Sequence, residues 1–427
     1  MGRPLVAALL AGFLIGAASA LPAAPPQANA QAPVSINKAR IDAALADMVA
    51  SGHAAGVSAL IWKDGREVYF GKAGFADREA KLPMTRDTQV ELFSMTKPVT
   101  GVALMQLWEQ GKFRLDDPLS RYLPEFATMQ VEDKDGTLHP ASRPILVRDI
   151  LRHTAGFSYG TGMGQEPADV AFSKADPLGL DHDLSEMGKR MGQLPLLFDP
   201  GTQWRYSAAA DVQALLVEKL SGQPFEDYVR QHVLEPLGMR NTGWTKSKDI
   251  LPRFAALYLR APEGGHLTRQ ADADTRRTNF EPRKLTPGGY GLVAPIDDYM
   301  RFARMLLGQG ELDGVRILSA QTVKLMSTNQ LDPEITERSW LVGKGNMGFG
   351  LDFAVRVGPP KDAQENRGTV GEFFWDGAAS TLFWVDPVNH MAVVYFAQTR
   401  PLDGKLHRDF RRAVYGDDYL GPAQVRQ

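Results

Sequence analysis

The stretch Phe93-Ser94-Met95-Thr96-Lys97-Pro98-Val99-Thr100 decides how the rest of the chain is read. A hydroxyl and an amine three residues apart share one face of a helical turn, so the amine can activate the alcohol. Downstream, Val99, Val102, Leu104, Leu107 and Trp108 recur at the spacing of a buried helical stripe, and Gly111 supplies a stop. Ser94 is therefore expected at a helix N-terminus, where unpaired N–H groups and the positive end of the helix dipole stabilise a developing oxyanion. Pro98 disfavours helical geometry at Lys97, so the regular helix is expected to begin late, with the motif in a tight first turn. Ser-x-x-Lys alone is a weak signal, since Ser35-Ile36-Asn37-Lys38 satisfies it too.

The 427 residues are 44% apolar and 23% charged, ordinary globular proportions with room for one large core or two modest ones. A formal charge of −2 without any sustained Lys/Arg run argues against nucleic acid as a partner. Arg3 precedes an apolar run over residues 5–18 and then Ala18-Ser19-Ala20, the small-x-small pattern of a signal peptidase site; Ala28-Asn29-Ala30 offers a second. Residues 1–30 are expected to be signal peptide and disordered lead-in, and the mature protein to be exported, periplasmic or secreted. The apolar run is too short for a stable membrane anchor. The chain has no cysteine, which excludes a thiolate nucleophile and a lipid-modified cysteine.

Residues 36–49 read as an amphipathic helix, and 56–62 and 67–72 as strands joined by the hairpin signal Asp64-Gly65. Strand character fades over about 111–284, where short helical patterns alternate with Pro- and Gly-rich loops. It returns at 348–357, 371–375, 380–386 and 390–398, before a final helix at 406–414. The expectation is one α/β domain over 31–427, an antiparallel sheet flanked by helices. Its α/β part covers about 34–110 and 285–420, and a mainly helical insert about 111–284. Two irregular stretches, 130–143 and 260–284, are long enough to form pocket rims.

Three further stretches can complete a site with Ser94. Tyr206, in a turn before the helical pattern 209–221, carries a phenol that beside a lysinium loses its proton more easily and shuttles protons to and from Ser94; its plain alternative is a half-buried aromatic with a bonded hydroxyl. In Phe374-Trp375-Asp376-Gly377-Ala378-Ala379, small residues beside a strand admit a close ligand or backbone. An N–H of Ala378 can there form an oxyanion hole with that of Ser94, or the segment is simply a tight turn. His153 reads as a helix C-terminal cap contact and is given no catalytic role. Gly156-Phe157-Ser158-Tyr159-Gly160 matches Gly-x-Ser-x-Gly, but that elbow needs a strand before it and a helix after it, and the pattern supplies neither. The eight histidines are scattered without a metal-binding spacing, and neither a metal nor a cofactor is expected.

As an ordered set these residues resemble the serine β-lactamase-like superfamily, in its class C-like branch with family VIII carboxylesterases, DD-peptidases and related acyltransferases. Residues 93–100 are similar to its nucleophile motif, 147–157 to its Leu-Leu-x-His-Thr-Ser-Gly segment, and 200–207 to its tyrosine motif. Residues 287–303 resemble its returning strand and helix, and Trp375-Asp376-Gly377 stands in the place of its Lys-Thr-Gly. The resemblance implies a β-lactamase-like fold in which Ser94 is the acylated nucleophile, Lys97 its activating amine, Tyr206 the proton carrier, and the N–H groups of Ser94 and Ala378 the oxyanion hole. Trp375, Asp376 and Gly377 would touch substrate.

Two departures narrow the substrate. Ala208 stands where lactamases and DD-peptidases usually carry an asparagine that holds the substrate amide, and Trp375 and Asp376 replace the Lys-Thr-Gly cation. An aromatic beside a carboxylate disfavours an anionic ligand. The expected substrate is a small neutral ester. A DD-peptidase or weak β-lactamase acting on amides, an acyltransferase, and a non-catalytic module holding a cell-wall fragment are the alternatives.

Overall fold

A computed structural model describes residues 1–2, 34–261, 266–362 and 364–419; beyond its first two residues, the expected signal segment lies outside the described residues. The first helix, α1 (Lys38–Ala50), leads into a hairpin of β1 (Gly56–Lys63) and β2 (Arg66–Asp77). Its turn residues Asp64 and Gly65 both take positive φ, 50° and 79°, the geometry that favours Asp-Gly there. β3 (Leu82–Pro83) adds to that edge. Five more strands follow: β4 (Met347–Phe349), β5 (Ala354–Arg356), β6 (Phe373–Asp376), β7 (Leu382–Asp386) and β8 (Met391–Ala397). The sheet runs β4-β5-β6-β7-β8-β1-β2-β3, antiparallel throughout. β1 pairs with β8 from Val57↔Ala397 to Lys63↔Met391, so the sheet centre is built from the two ends of the chain.

Five further helices matter to the site: α2 (Thr96–Glu109), α3 (Val147–Leu151), α4 (Ala209–Ser221), α5 (Ile296–Leu307) and α6 (Gly404–Tyr415). Both sheet faces are covered, as two consecutive residues of β7 show, since neighbours in a strand point to opposite sides. Phe383 meets Tyr299 and Phe302 of α5, whereas Trp384 meets Phe410 and Tyr415 of α6. The architecture is therefore α/β, an antiparallel sheet flanked by helices.

Three local readings are corrected. α2 does not begin late: it starts at Thr96, directly after a 3₁₀ turn at Phe93–Met95, and Lys97 is helical. Pro98 falls in the first turn, where a helix has no internal partner for the N–H that proline lacks. The stretch 348–357 is two strands, broken by a turn in which Asp352 holds φ at 61°. The region expected to be helical also holds two hairpins, Gln130–Glu132 with Leu138–Pro140 and Tyr258–Arg260 with Leu267–Arg269. Strands of three residues are too short to show an alternating pattern.

α2 is buried on almost every side and packs against α4. The stripe seen in sequence is one side of an enclosed helix. Thr96 and Thr100 are buried in it because each has a backbone partner: Thr96 Oγ1 accepts the Leu292 N–H at 3.2 Å, and Thr100 Oγ1 donates to Gly288 O at 2.7 Å.

Candidate active site

Ser94 sits in the 3₁₀ turn that opens onto α2. Phe93 before it holds φ at 50°, a left-handed conformation that costs a non-glycine residue roughly 1–3 kcal/mol and persists only when its surroundings enforce it. They do so from three sides. The Leu92 N–H donates to Leu292 O at 2.8 Å, the Thr381 hydroxyl to Leu92 O at 3.1 Å, and the Tyr299 hydroxyl to Met95 O at 2.8 Å. Gly377 abuts the same segment so closely that a Cβ there would lie 2.3 Å from Leu92 O. Its lack of a side chain brings the turn that carries Ala378 against the segment that carries Ser94. Among the described residues, no backbone carbonyl pairs with the N–H of Ser94 or of Ala378.

The structure brings Ser94, Lys97 and Tyr206 together. The Tyr206 hydroxyl donates to Ser94 Oγ at 2.6 Å, and Lys97 Nζ lies 3.2 Å from the same oxygen. Lys97 Nζ also donates to Gly289 O at 2.8 Å, is 3.4 Å from the Tyr159 hydroxyl, and lies over the Tyr206 ring at 4.6 Å from its centre. Burial pushes the Lys97 amine down to about 8, against the pull of Asp211, Asp352 and Asp376. Tyr206 moves opposite to the expectation of an easier proton loss. Burial raises its phenol far above the ordinary tyrosine value and outweighs the hydrogen bond to Ser94. Burial thus brings the amine toward its neutral form and holds the phenol protonated.

Four residues near Lys97 were not singled out in the sequence: Tyr159, Asp211, Gly289 and Asp352. Asp211 is fully buried and accepts the Gly289 N–H at 3.0 Å, so it fixes the carbonyl that receives the Lys97 amine. Burial raises its carboxyl to about 6, with Lys97 pulling the other way. Asp352, held by Gln213 Nε2 at 3.1 Å, is pushed well above the carboxylate range by burial. A Cβ on Gly289 would lie 2.9 Å from both the Tyr159 hydroxyl and Asp211 Oδ2, which accounts for glycine at this point. An aspartate five residues after Tyr206 gives no signal by itself, because only the fold turns that face of α4 toward α2.

A family model described as Beta-lactamase matches residues 41–416. The chain belongs to the Beta-lactamase family. Protein Rv1367c of Mycobacterium tuberculosis (strain ATCC 25618 / H37Rv) is 35% identical over 395 residues, which cover 90% of this chain and 95% of that one. Esterase EstB of Burkholderia gladioli is 30% identical over 399 residues, 88% and 95% of the two chains. Among solved structures, EstCE1, described as a hydrolase with promiscuous acyltransferase activity, superimposes with a TM-score of 0.73 at 29% identity, covering 88% of this chain and 98% of its own. The fold is the β-lactamase-like one, and the chain is an enzyme of the serine-hydrolase type.

Within the Beta-lactamase fold the remaining candidates sort by geometry. Trp375 is buried, and its ring centre lies 5.4 Å from that of Tyr206. Trp340, from the 3₁₀ segment Ser339–Lys344, stands 5.2 Å from Tyr206 and 6.1 Å from Trp375. These rings form an aromatic wall beside Ser94. Asp376 is corrected as a substrate contact: its carboxylate is buried, ion-paired to Lys344 and 3.9 Å from His407 Nδ1. It presents no bare negative charge, because Lys344, distant in sequence, neutralises it. Ala208 is buried at the start of α4 and offers no side-chain donor.

His153, in a left-handed conformation just past α3, is buried, bonds Ser207 Oγ through Nδ1 at 3.2 Å and stacks near Tyr206, so it supports that ring. Burial holds it neutral, well below the ordinary histidine range. Ser158 donates to Asp169 Oδ1 at 2.6 Å and accepts the Gly160 N–H at 2.9 Å, in a loop with no strand before it. Among the described residues, no group of three His, Asp or Glu side chains could hold a metal ion.

Proposed function

We propose that this enzyme hydrolyses small, neutral carboxylic esters through an acyl-enzyme on Ser94, with Lys97 as base, Tyr206 as proton carrier and the N–H groups of Ser94 and Ala378 as oxyanion hole. The observation that carries this reading is the convergence of the Tyr206 hydroxyl and the Lys97 amine on Ser94 Oγ, at 2.6 and 3.2 Å. Neutral Lys97 keeps two N–H donors for Gly289 O and Tyr159, and its lone pair faces the Ser94 hydroxyl. As Ser94 Oγ bonds to the ester carbonyl carbon, its proton passes to Lys97 and the carbonyl oxygen, now anionic, lies between the two amides. The C–O bond to the alcohol breaks, and the departing alkoxide takes the phenolic proton, which Lys97 replaces. Water then attacks the acyl-enzyme by the same steps in reverse. A phenol whose acidity burial suppresses suits a relay that never rests as phenolate.

Trp340, the exposed ring of this cluster, offers an apolar surface to an acyl or alcohol group, worth roughly 25 cal/mol per Å² covered. Ala208 leaves a substrate amide without its side-chain partner, which disfavours amides and lactams. On p-nitrophenyl esters of increasing chain length beside nitrocefin, kcat/KM for the short esters is expected to exceed that for nitrocefin on the order of 100-fold or more. Nitrocefin turned over as well as the esters would replace this reading with a lactamase one. Acyl transfer to an alcohol other than water uses the same residues, and EstCE1, a hydrolase with promiscuous acyltransferase activity, combines the two reactions in one protein.

The pH profile follows from the amine. Only unprotonated Lys97 accepts the proton, so kcat/KM for a neutral ester is expected to rise with pH and level off above about 8. A profile flat between pH 6 and 9 would remove Lys97 from the base role.

A further inference from the structure

Trp340 is 37% exposed and sits on a 3₁₀ segment of six residues whose Val342 is exposed as well, yet its ring stands 5.2 Å from that of Tyr206. A surface tryptophan on so short a segment needs a support. Lys344, the last residue of the same segment, supplies one: its Nζ lies over the Trp340 ring, 4.0 Å from the centre, and 5.2 Å from the centre of Trp375. The lysine is buried and ion-paired to the buried Asp376. β5 pairs with β6 only at Phe373 and Phe374, so Trp375 and Asp376 lie past the end of that pairing, and the lysine side chain meets both of them there although neighbours in a strand point to opposite faces. On its other side Asp376 is anchored to β7, opposite Leu382.

Lys344 is the cation that balances this carboxylate. His407 Nδ1 is 3.9 Å from it, but Nε2 lies 3.0 Å from Ser380 O and so carries the proton of the ring, which burial holds neutral by pushing its pKa down to about 4. Arg411, on the same helix α6, is taken by Glu372 at 2.8 Å. An ammonium over an indole face attracts the ring electrostatically, and more strongly away from water. Burying that ammonium is costly unless an anion answers it, and Asp376 is the anion. The sheet thus holds the carboxylate, the carboxylate holds the cation, and the cation holds the indole.

We propose that the Lys344–Asp376 pair is a positioning device for substrate selection, fixing Trp340 beside Tyr206 so that the apolar part of an ester meets an indole already in place. Neither member of the pair touches substrate; both act through Trp340. The inference rests on the ester reading above, in which Trp340 offers the apolar surface, and it places the effect in KM for the longer esters.

Lys344→Met combined with Asp376→Asn tests it, because removing both charges at similar volume leaves no buried ion alone, and a thermal melt verifies that the variant folds. KM for p-nitrophenyl butyrate is expected to rise at least about fivefold with kcat within about twofold of the wild type, and KM for the acetate, which covers less of the indole, to rise less. Amide hydrogen exchange over residues 339–344 is expected to quicken at least about tenfold. Lys344→Arg keeps a cation for both the indole and Asp376, and the adjoining cavity of about 120 Å³ takes its extra volume, so it should restore both readouts. In a Trp340→Ala background the paired substitution should leave KM where it is. Exchange over 339–344 at the wild-type rate, an unchanged KM for the butyrate, or an equal rise in KM when Trp340 is already alanine would each overturn the assignment. A wild type that turns over no ester would instead remove the ester reading, and the exchange rates would then decide whether the pair places Trp340.

Discussion

Ser94→Ala is expected to lower kcat for a p-nitrophenyl ester by at least about 10⁴-fold, because covalent catalysis is lost while the oxyanion amides and the aromatic wall remain. The variant should also lose the mass adduct that a fluorophosphonate leaves on the wild type. Both readouts are needed, since a module that merely holds a ligand in the same cleft would show neither turnover nor adduct in the wild type. Ser158→Ala is the matched control. Ser158 is buried between Asp169 and the Gly160 N–H, so its loss strips one partner from a buried carboxylate that keeps Arg205 at 2.7 Å. That change is expected to cost about 1–3 kcal/mol of stability and to leave kcat within a few fold of wild type. An inactive Ser158→Ala beside an active Ser94→Ala would exchange the two serines and overturn the mechanism.

What made Ser94 legible was chemistry that is local in the chain. Ser94 and Lys97 are three residues apart, and the turn-helix context around them can be read directly. The sheet was legible for a similar reason: β1 and β8 are strongly apolar runs, and Asp64-Gly65 marks its own turn. What escaped was whatever depends on two distant segments meeting. Asp376 reads as a lone carboxylate beside a tryptophan until the fold brings Lys344 onto it. Tyr206 reads as a phenol made acidic by a lysinium until burial reverses the sign. Asp211 and Asp352 are ordinary aspartates until α4 and the turn before β5 enclose them beside Lys97. Local pattern reports which groups a segment owns, whereas desolvation and charge pairing belong to the assembled core.

Lys97→Met tests that last distinction through activity and stability at once. Removing the base is expected to lower kcat/KM by about 10²- to 10⁴-fold and to abolish the rise toward pH 8. Lys97→Arg should not restore activity, because a guanidinium does not give up its proton. Stability should respond through Asp211. Its folded carboxyl, at about 6, lies above the ordinary 3.8, so the folded state binds that proton more tightly than the unfolded chain does. The contribution of Asp211 to stability therefore falls as pH rises between those two values and stops falling once it is ionised in both states. Lys97 is what holds the folded value down, so in Lys97→Met the fall should continue above pH 6. Up to about pH 7 the wild-type amine is protonated in both states, so it adds little pH dependence of its own there. Thermal melts at pH 5 and pH 7 should accordingly show a larger loss of Tm across the interval in Lys97→Met than in the wild type. Equal losses would mean that Asp211 does not sense the amine, and Lys97 would then lose its place among these buried carboxylates.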